Sequence, residues 1–370
     1  MNRATRWIAF MLAVLVFVPL SAFASEGGEE KVYALLSPDG QVLTHVSGAL
    51  DTGDEYISGD NRHYKVLQVD KNACTAQTAL IGDYPMPDVS WLNDGTVSVA
   101  AVKKAIALYC THSDESYEPT DGKSSDEQRG GIYDVADQFR AAMEEKGVTV
   151  YQSDETHHPH DAGAYRRSRQ TAMQLLEEGV DCMIDIHRDG IPDPASYETR
   201  VKGEDTTQVR LLVGRSNQNS GANKEFATRL KAVADKVYPG LIKDIFIGKG
   251  SYNQDLMSKA ILFEFGTYTN DKEDVLASTG YMADVLNRTL YGGVTGAAGS
   301  KNDGQLQKGA DSKQEDKAAF KGTGWVIAAV IVVGLLFAFA QTGSGSGAVG
   351  KVRRSFREMT GGLFGGRKKE

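Results

Sequence analysis

The sequence predicts an α/β fold: a mainly parallel sheet flanked by helices on both faces, preceded by a small β module and followed by a C-terminal transmembrane helix. Three observations predict it. Residues 31–92 read as β, with alternating apolar runs and turn residues between them. Residues 101–292 alternate short apolar strands with amphipathic helices, the pattern of strands joined by helical crossovers. A last apolar run, Trp325 to Ala340, carries no charge.

Arg3 and Arg6 precede an apolar stretch from Ile8 to Leu20, and Ala22-Phe23-Ala24 supplies small residues for cleavage. These are the parts of a secretory signal peptide, assigned to residues 1–24. The β module, residues 25–97, rests on Val32 to Leu36, Val42 to Val46 and His63 to Val69, with Pro38-Asp39-Gly40 as a turn. Residues 98–292 form the larger domain. Its strands are Ala105 to Tyr109, Val148 to Tyr151, Asp181 to Ile186, Val209 to Val213 and Ala260 to Phe265. Ile132, Val135, Ala136, Phe139 and Met143 recur at helical spacing and end at Gly147. Helices ending at Gly179 and at Pro239-Gly240 follow, and Val275 to Leu286 gives a fourth.

Residues 293–323 hold almost no large apolar side chain and read as a flexible linker. Residues 324–341 then form the transmembrane helix, and 342–370 a basic tail with Lys351, Arg353, Arg354 and Arg357. Positive flanks stay cytoplasmic. The expected location is the cell membrane, with the bulk of the chain outside the cytoplasm and the tail inside.

The formal net charge is -8, and no concentrated basic surface is visible between residues 30 and 290. That argues against nucleic acid as the main partner. Cys74, Cys110 and Cys182 make an odd count with no CxxC spacing. Cys110 and Cys182 stand in apolar strand-like runs and read as buried small hydrophobes rather than metal ligands.

The chemistry is carried by polar residues that interrupt the strands. One strand ends in Thr111-His112-Ser113-Asp114-Glu115, another in His187-Arg188-Asp189-Gly190, and a third contains Phe263-Glu264-Phe265. Ligands of open α/β sheets bind at the carboxyl ends of strands. Two imidazoles and a carboxylate with one open position make a catalytic zinc site. His112, His187 and Glu115 are the candidate Zn2+ ligands, with Asp114 and Glu118 competing for the third place. Glu264 is the candidate catalytic acid and base, and Arg188 the candidate for stabilising an oxyanion or pairing with Asp189. Asp185 or Asp189 can orient a ligand histidine. His157, His158, His160 and Asp161 read as a polar loop, with His160 placed to hold substrate.

Over residues 100–290 these segments resemble the stage II sporulation protein P family. The resemblance is carried by Thr111-His112-Ser113 with Glu115-Ser116-Tyr117; Tyr165 with Ser168; Asp185 through Asp189; and Gly214 with Asn217 and Asn223. It continues in Tyr238-Pro239-Gly240-Leu241, in Tyr252 through Leu256, and in Glu264-x-Gly266 with Asn270. It implies a zinc amidase-like sheet and a peptidoglycan hydrolase cutting the amide between N-acetylmuramic acid and L-alanine, with peptide cross-links as a further target. It implies His112 and His187 at the metal and Glu264 as acid and base. It also implies a lytic transglycosylase and a membrane scaffold as partners during engulfment. Family members hang from an N-terminal membrane helix, whereas this sequence predicts a C-terminal anchor. Two other classes fit some of these residues: a zinc carboxypeptidase, through His112-x-x-Glu115 with His187 and Glu264, and a non-catalytic wall-binding module.

Overall fold

Side chains alternate across an extended chain, so an apolar residue at every second position gives a strand with one buried face. In the computed structural model, which describes residues 31–93, 104–161 and 163–292, Val32–Leu36 (β1) buries Tyr33 and Leu35 in this way. Val42–Ser47 (β2), Glu55–Ile57 (β3), Arg62–Asp70 (β4) and Thr75–Asp83 (β5) complete the first part. Ala105–Tyr109 (β6) is buried on both faces, as expected of a central strand. Next come Glu118–Asp121 (α1), Ile132–Glu144 (α2), Thr149–Gln152 (β7), Ala164–Leu176 (α3) and Cys182–Asp189 (β8). Glu198–Val201 (β9) and Glu204–Thr207 (β10) form a separate two-stranded sheet. Val209–Gly214 (β11), Ser220–Val237 (α4), Ile242–Gly248 (β12), Ala260–Thr267 (β13) and Lys272–Tyr291 (α5) finish the described chain. Gly147 and Gly179, each just beyond a helix, adopt φ of 73° and 70°, the left-handed turn that favours glycine.

The main sheet has 11 strands in the order β2-β1-β5-β4-β3-β12-β11-β13-β8-β6-β7. Five of its ten ladders are antiparallel, including β11 on β13. This corrects the expected fold class. The sheet is mixed rather than mainly parallel, and the β module does not precede it as a separate layer. Short β3 pairs with β12, so β1–β5 extend the same sheet. Local periodicity marks a strand but not its partner, which is why this junction was not anticipated. β12 itself was missed because Lys243 and Asp244 interrupt its apolar run. The transmembrane helix of that fold class is not found: no helix among the described residues is long and apolar enough to cross a membrane. The run Trp325 to Ala340 lies outside the described residues, as do the expected signal peptide, linker and basic tail.

On one face of the sheet, Ile106, Leu108, Ile184, Leu211 and Phe263 pack with Phe139 of α2, Leu230 of α4 and Val285 of α5 as the main core. The opposite face carries two smaller patches. Ala107, Tyr109 and Met183 pack on Ala172 of α3. Phe246 and Leu212 pack on Tyr33, Leu35 and Tyr56 of the β module. Strand alternation places Asp185, His187, Glu264 and Arg210 on that second face, between the two patches. The polar cluster therefore has α3 on one side and the β module on the other.

Candidate active site

The loop after β6 carries His112 and Glu115, and backbone contacts fix its course. Thr111 donates from its amide (2.8 Å) and from Oγ1 (2.6 Å) to the Asp185 carboxylate on β8. Gly130 donates to the Ser113 carbonyl at 3.0 Å, and Ile132 to the Glu115 carbonyl at 2.9 Å. A Cβ on Gly130 would lie 2.4 Å from the Glu115 carbonyl oxygen, so only glycine allows this approach.

The two candidate ligand histidines meet. The rings of His112 and His187 are 5.2 Å apart at 75°. Glu115 joins them: its Oε1 is 3.4 Å from Nδ1 of His187, and its Oε2 accepts the Arg188 amide at 3.0 Å. Nε2 of His187 lies 3.0 Å from Asp185 Oδ1 but without a hydrogen-bond alignment that would satisfy it. Glu264 of β13 is the direct register partner of His187 on β8, so both side chains share a face. Nδ1 of His112 and Oε2 of Glu264 are likewise buried without a hydrogen-bond partner among the described residues. Unpartnered buried polar atoms of this kind point to a ligand or to catalytic use.

Charge separates the three groups. Burial, then the neighbouring His160 and His187, pushes His112 well below the usual imidazole range and keeps it neutral. Burial also opposes a charge on His187, but the carboxylates of Asp185 and Glu115 outweigh it and hold the proton on. Burial, reinforced by Asp189 and Glu115, pushes Glu264 well above the carboxylate range, against the pull of His187 and Arg210.

The other candidates are placed as follows. The Arg188 guanidinium donates to the Ser124 carbonyl at 3.0 Å and lies over the Tyr268 ring, and its Nε is buried without a partner. It reaches the backbone carbonyl of Asp189 (3.5 Å), not the carboxylate. Asp189 instead meets Arg210, Tyr197 and Ser47, which leaves Asp185 as the acid beside His187. Asp114 accepts from Ser125 and His160, and Glu118 is exposed on α1. Within the polar loop, His160 stacks on His112 with centroids 3.9 Å apart. His157 has a packing role, bonded to the Cys110 carbonyl and Thr171, while Asp161 pairs with Arg167. Cys110 and Cys182 are buried free thiols.

Two neighbours did not stand out on chemical grounds. Tyr165 sets its edge 5.4 Å from His112 and packs against Tyr252 at 5.3 Å. Arg210 is 2% exposed and is the register partner of Glu264. It was legible only as the single charge in an apolar strand. Among the described residues no three His, Cys, Asp or Glu side chains are already gathered as a metal cluster.

The sequence profile of stage II sporulation protein P matches residues 51–287, well over half of the chain. The chain belongs to the stage II sporulation protein P family. It is 31% identical over 209 residues to "Stage II sporulation protein P" of Bacillus subtilis (strain 168), covering 51% of this chain and 52% of that protein. This stage II sporulation protein P homologue thus spans about half the length of the curated relative it matches. Among solved structures it is similar to the N-acetylmuramoyl-L-alanine amidase AmiC2 of Nostoc punctiforme at 12% identity and a TM-score of 0.32, covering 52% of this chain and 97% of that one. It is similar to the amidase Ami1 of Mycobacterium smegmatis at 16% identity and a TM-score of 0.33, covering 53% and 98%.

Proposed function

We propose that this protein is a zinc-dependent peptidoglycan hydrolase that cuts the amide between N-acetylmuramic acid and L-alanine of the stem peptide. The observation that carries the reading is the orphaned Glu264 Oε2 on the strand position paired with His187, together with the unpartnered Nδ1 of His112 in the ring cluster around His187. Family membership supports a setting in wall remodelling during sporulation, and the reading puts the catalytic domain outside the cytoplasm. By the same family resemblance, a lytic transglycosylase and a membrane scaffold would be its partners, and peptide cross-links a second target.

The residues fit a zinc ion. His112 is kept neutral, as a ligand imidazole must be, and its Nδ1 has no partner among the described residues; His187, which Asp185 and Glu115 hold protonated, would give up that proton to the ion. The 3.4 Å between His187 Nδ1 and Glu115 Oε1 is long for a hydrogen bond. His112, His187 and Glu115 would hold the ion, and Asp185 would orient His187. When bound, zinc supplies Lewis acidity, lowering the pKa of water toward about 7.

Glu264 performs the proton work. Burial raises the basicity of Glu264, so that once ionised it can accept a proton from the attacking water and return it to the leaving amine. Asp189 and Glu115 raise its basicity, while Arg210 limits that rise. Arg188 Nε is a buried donor for the negative oxygen that develops on the substrate. Tyr165, packed on His112 and Tyr252, would form an aromatic wall beside the reacting amide.

The test is digestion of purified cell wall by wild type and Glu264→Gln, with mass analysis of fragments. Intact stem peptides with a free L-alanine amine are expected from wild type, and roughly 10²–10⁴-fold less from the variant. Release of single terminal residues would favour the carboxypeptidase reading. An equally active Glu264→Gln would remove the mechanism.

A further inference from the structure

One strand beyond Arg210 the surface opens into a cavity of about 330 Å³ that the chemistry above does not use. It is lined by β2 from Val42 to His45, by Tyr56, by the turn of Asp193, Ala195 and Ser196, and by Gln208 and Lys243. The ladder between β11 and β12 slips there: Val209 pairs with Ile242 and Arg210 with Asp244, leaving Lys243 as the extra residue. Such a bulge re-aims a side chain. The Lys243 ammonium lies 4.8 Å from the Tyr197 ring and donates to the Ser196 carbonyl. No carboxylate forms an ion pair with it among the described residues. Asp189 and Asp244 both serve Arg210, and Asp193 accepts the Ala195 amide in its own turn. A largely buried ammonium has three donors to satisfy, and here one carbonyl and a ring face do so.

The second feature is β2. It is the edge strand of the sheet, so its outer backbone groups face no neighbouring strand. The His45 carbonyl is taken by Arg210 at 3.0 Å. At one end of β2, Ser47 donates to Asp189 at 2.5 Å, two residues past His187. At the other end, Val42 to His45 line the cavity. Six residues of strand span about 17–20 Å, the reach of a short extended peptide. An exposed strand edge gives such a peptide main-chain hydrogen bonds, and pockets alongside read its side chains.

We infer that the cavity at Lys243 is a carboxylate subsite, filled by an acidic peptide lying along β2, namely the portion of the stem peptide beyond the amide cut at the histidine site. This rests on the proposed function for its substrate class. The ammonium of Lys243 would receive a free carboxylate of that peptide, and Arg167 and Arg169, engaged with Asp161 and Asp255, would not.

The experiment is calorimetric titration of the purified full chain with a synthetic stem tetrapeptide that bears free carboxylates and no glycan. The same peptide with its carboxyl groups amidated is the comparison. Wild type is expected to bind the free acid at least tenfold more tightly than the amide. Lys243→Gln is expected to lose roughly ten- to hundredfold in affinity for the free acid, the worth of a charge-assisted hydrogen bond. Lys243→Arg is expected to keep most of it. Equal binding of acid and amide by wild type overturns the inference, as does unchanged binding by Lys243→Gln. Should Lys243→Gln fail to fold, the acid-to-amide ratio of the wild type decides alone. Wall digestion run in parallel separates the two readings: a wild type that digests wall but ignores the carboxylate loses only the subsite, while one that digests nothing loses the function on which it stands.

Discussion

Arg210 on β11 donates to Asp189 at the end of β8 at 2.8 Å, reaching across the intervening strand β13 that carries Glu264. The same guanidinium takes Asp244 at 2.7 and 2.9 Å, and Thr44 and the His45 carbonyl at 3.0 Å. One buried cation thus joins the β module to the strand ends that hold the candidate site.

Removing that cation would leave two buried carboxylates, Asp189 and Asp244, without their counter-charge. Arg210→Met is expected to cost about 3–5 kcal/mol, measured by urea unfolding. A variant as stable as wild type would mean that the network contributes nothing net.

Gly130 admits no side chain. Gly130→Ala forces apart the backbone at Glu115, and the loop carrying His112 must move with it. A loss of about 1–3 kcal/mol is expected, together with a fall in wall digestion exceeding the fraction unfolded. Thermal melting and activity on one preparation check both.

If His112 and His187 hold zinc, purified protein contains about one equivalent by elemental analysis, and chelation lowers the melting temperature because the ion binds only the folded chain. His112→Ala and His187→Ala are each expected to lose the metal and the chelator effect while keeping the far-ultraviolet dichroism of wild type. Wild-type protein that refolds, digests wall and binds no zinc would contradict the ligand assignment.

Arg169 of α3 grips Asp255 with two hydrogen bonds, 2.8 and 2.7 Å, and holds that carboxyl below the usual range. A depressed folded pKa means stability that is fully present above the unfolded carboxylate value, about 3.9. It is lost as pH falls through the lower folded value. Arg169→Gln is expected to flatten the fall in stability below about pH 4 without changing its slope above neutrality. Unfolding curves from pH 2 to 8 measure it; an unchanged acid limb would assign the slope to other carboxylates.

Local pattern already placed the candidate chemistry. His112, His187 and Glu264 interrupt apolar strands at their carboxyl ends, and a strand's period of two decides which neighbours share its face. The helix from Ile132 and the glycines at 147 and 179 follow from spacing and from left-handed φ alone. Arg210, β12 and the reach of Ser47 to Asp189 did not follow, since each depends on a partner distant in the chain.

The sequence by itself determined many of the strands and helices, β12 excepted, and which titratable side chains fall at or near strand ends, because both are properties of neighbours along the chain. Tertiary structure alone decided that the β module belongs to the same sheet, that Asp185 rather than Asp189 attends His187, and that Lys243 has no ion pair among the described residues. Those outcomes are set by which strands pair and in what register, a competition among distant segments that no local spacing records.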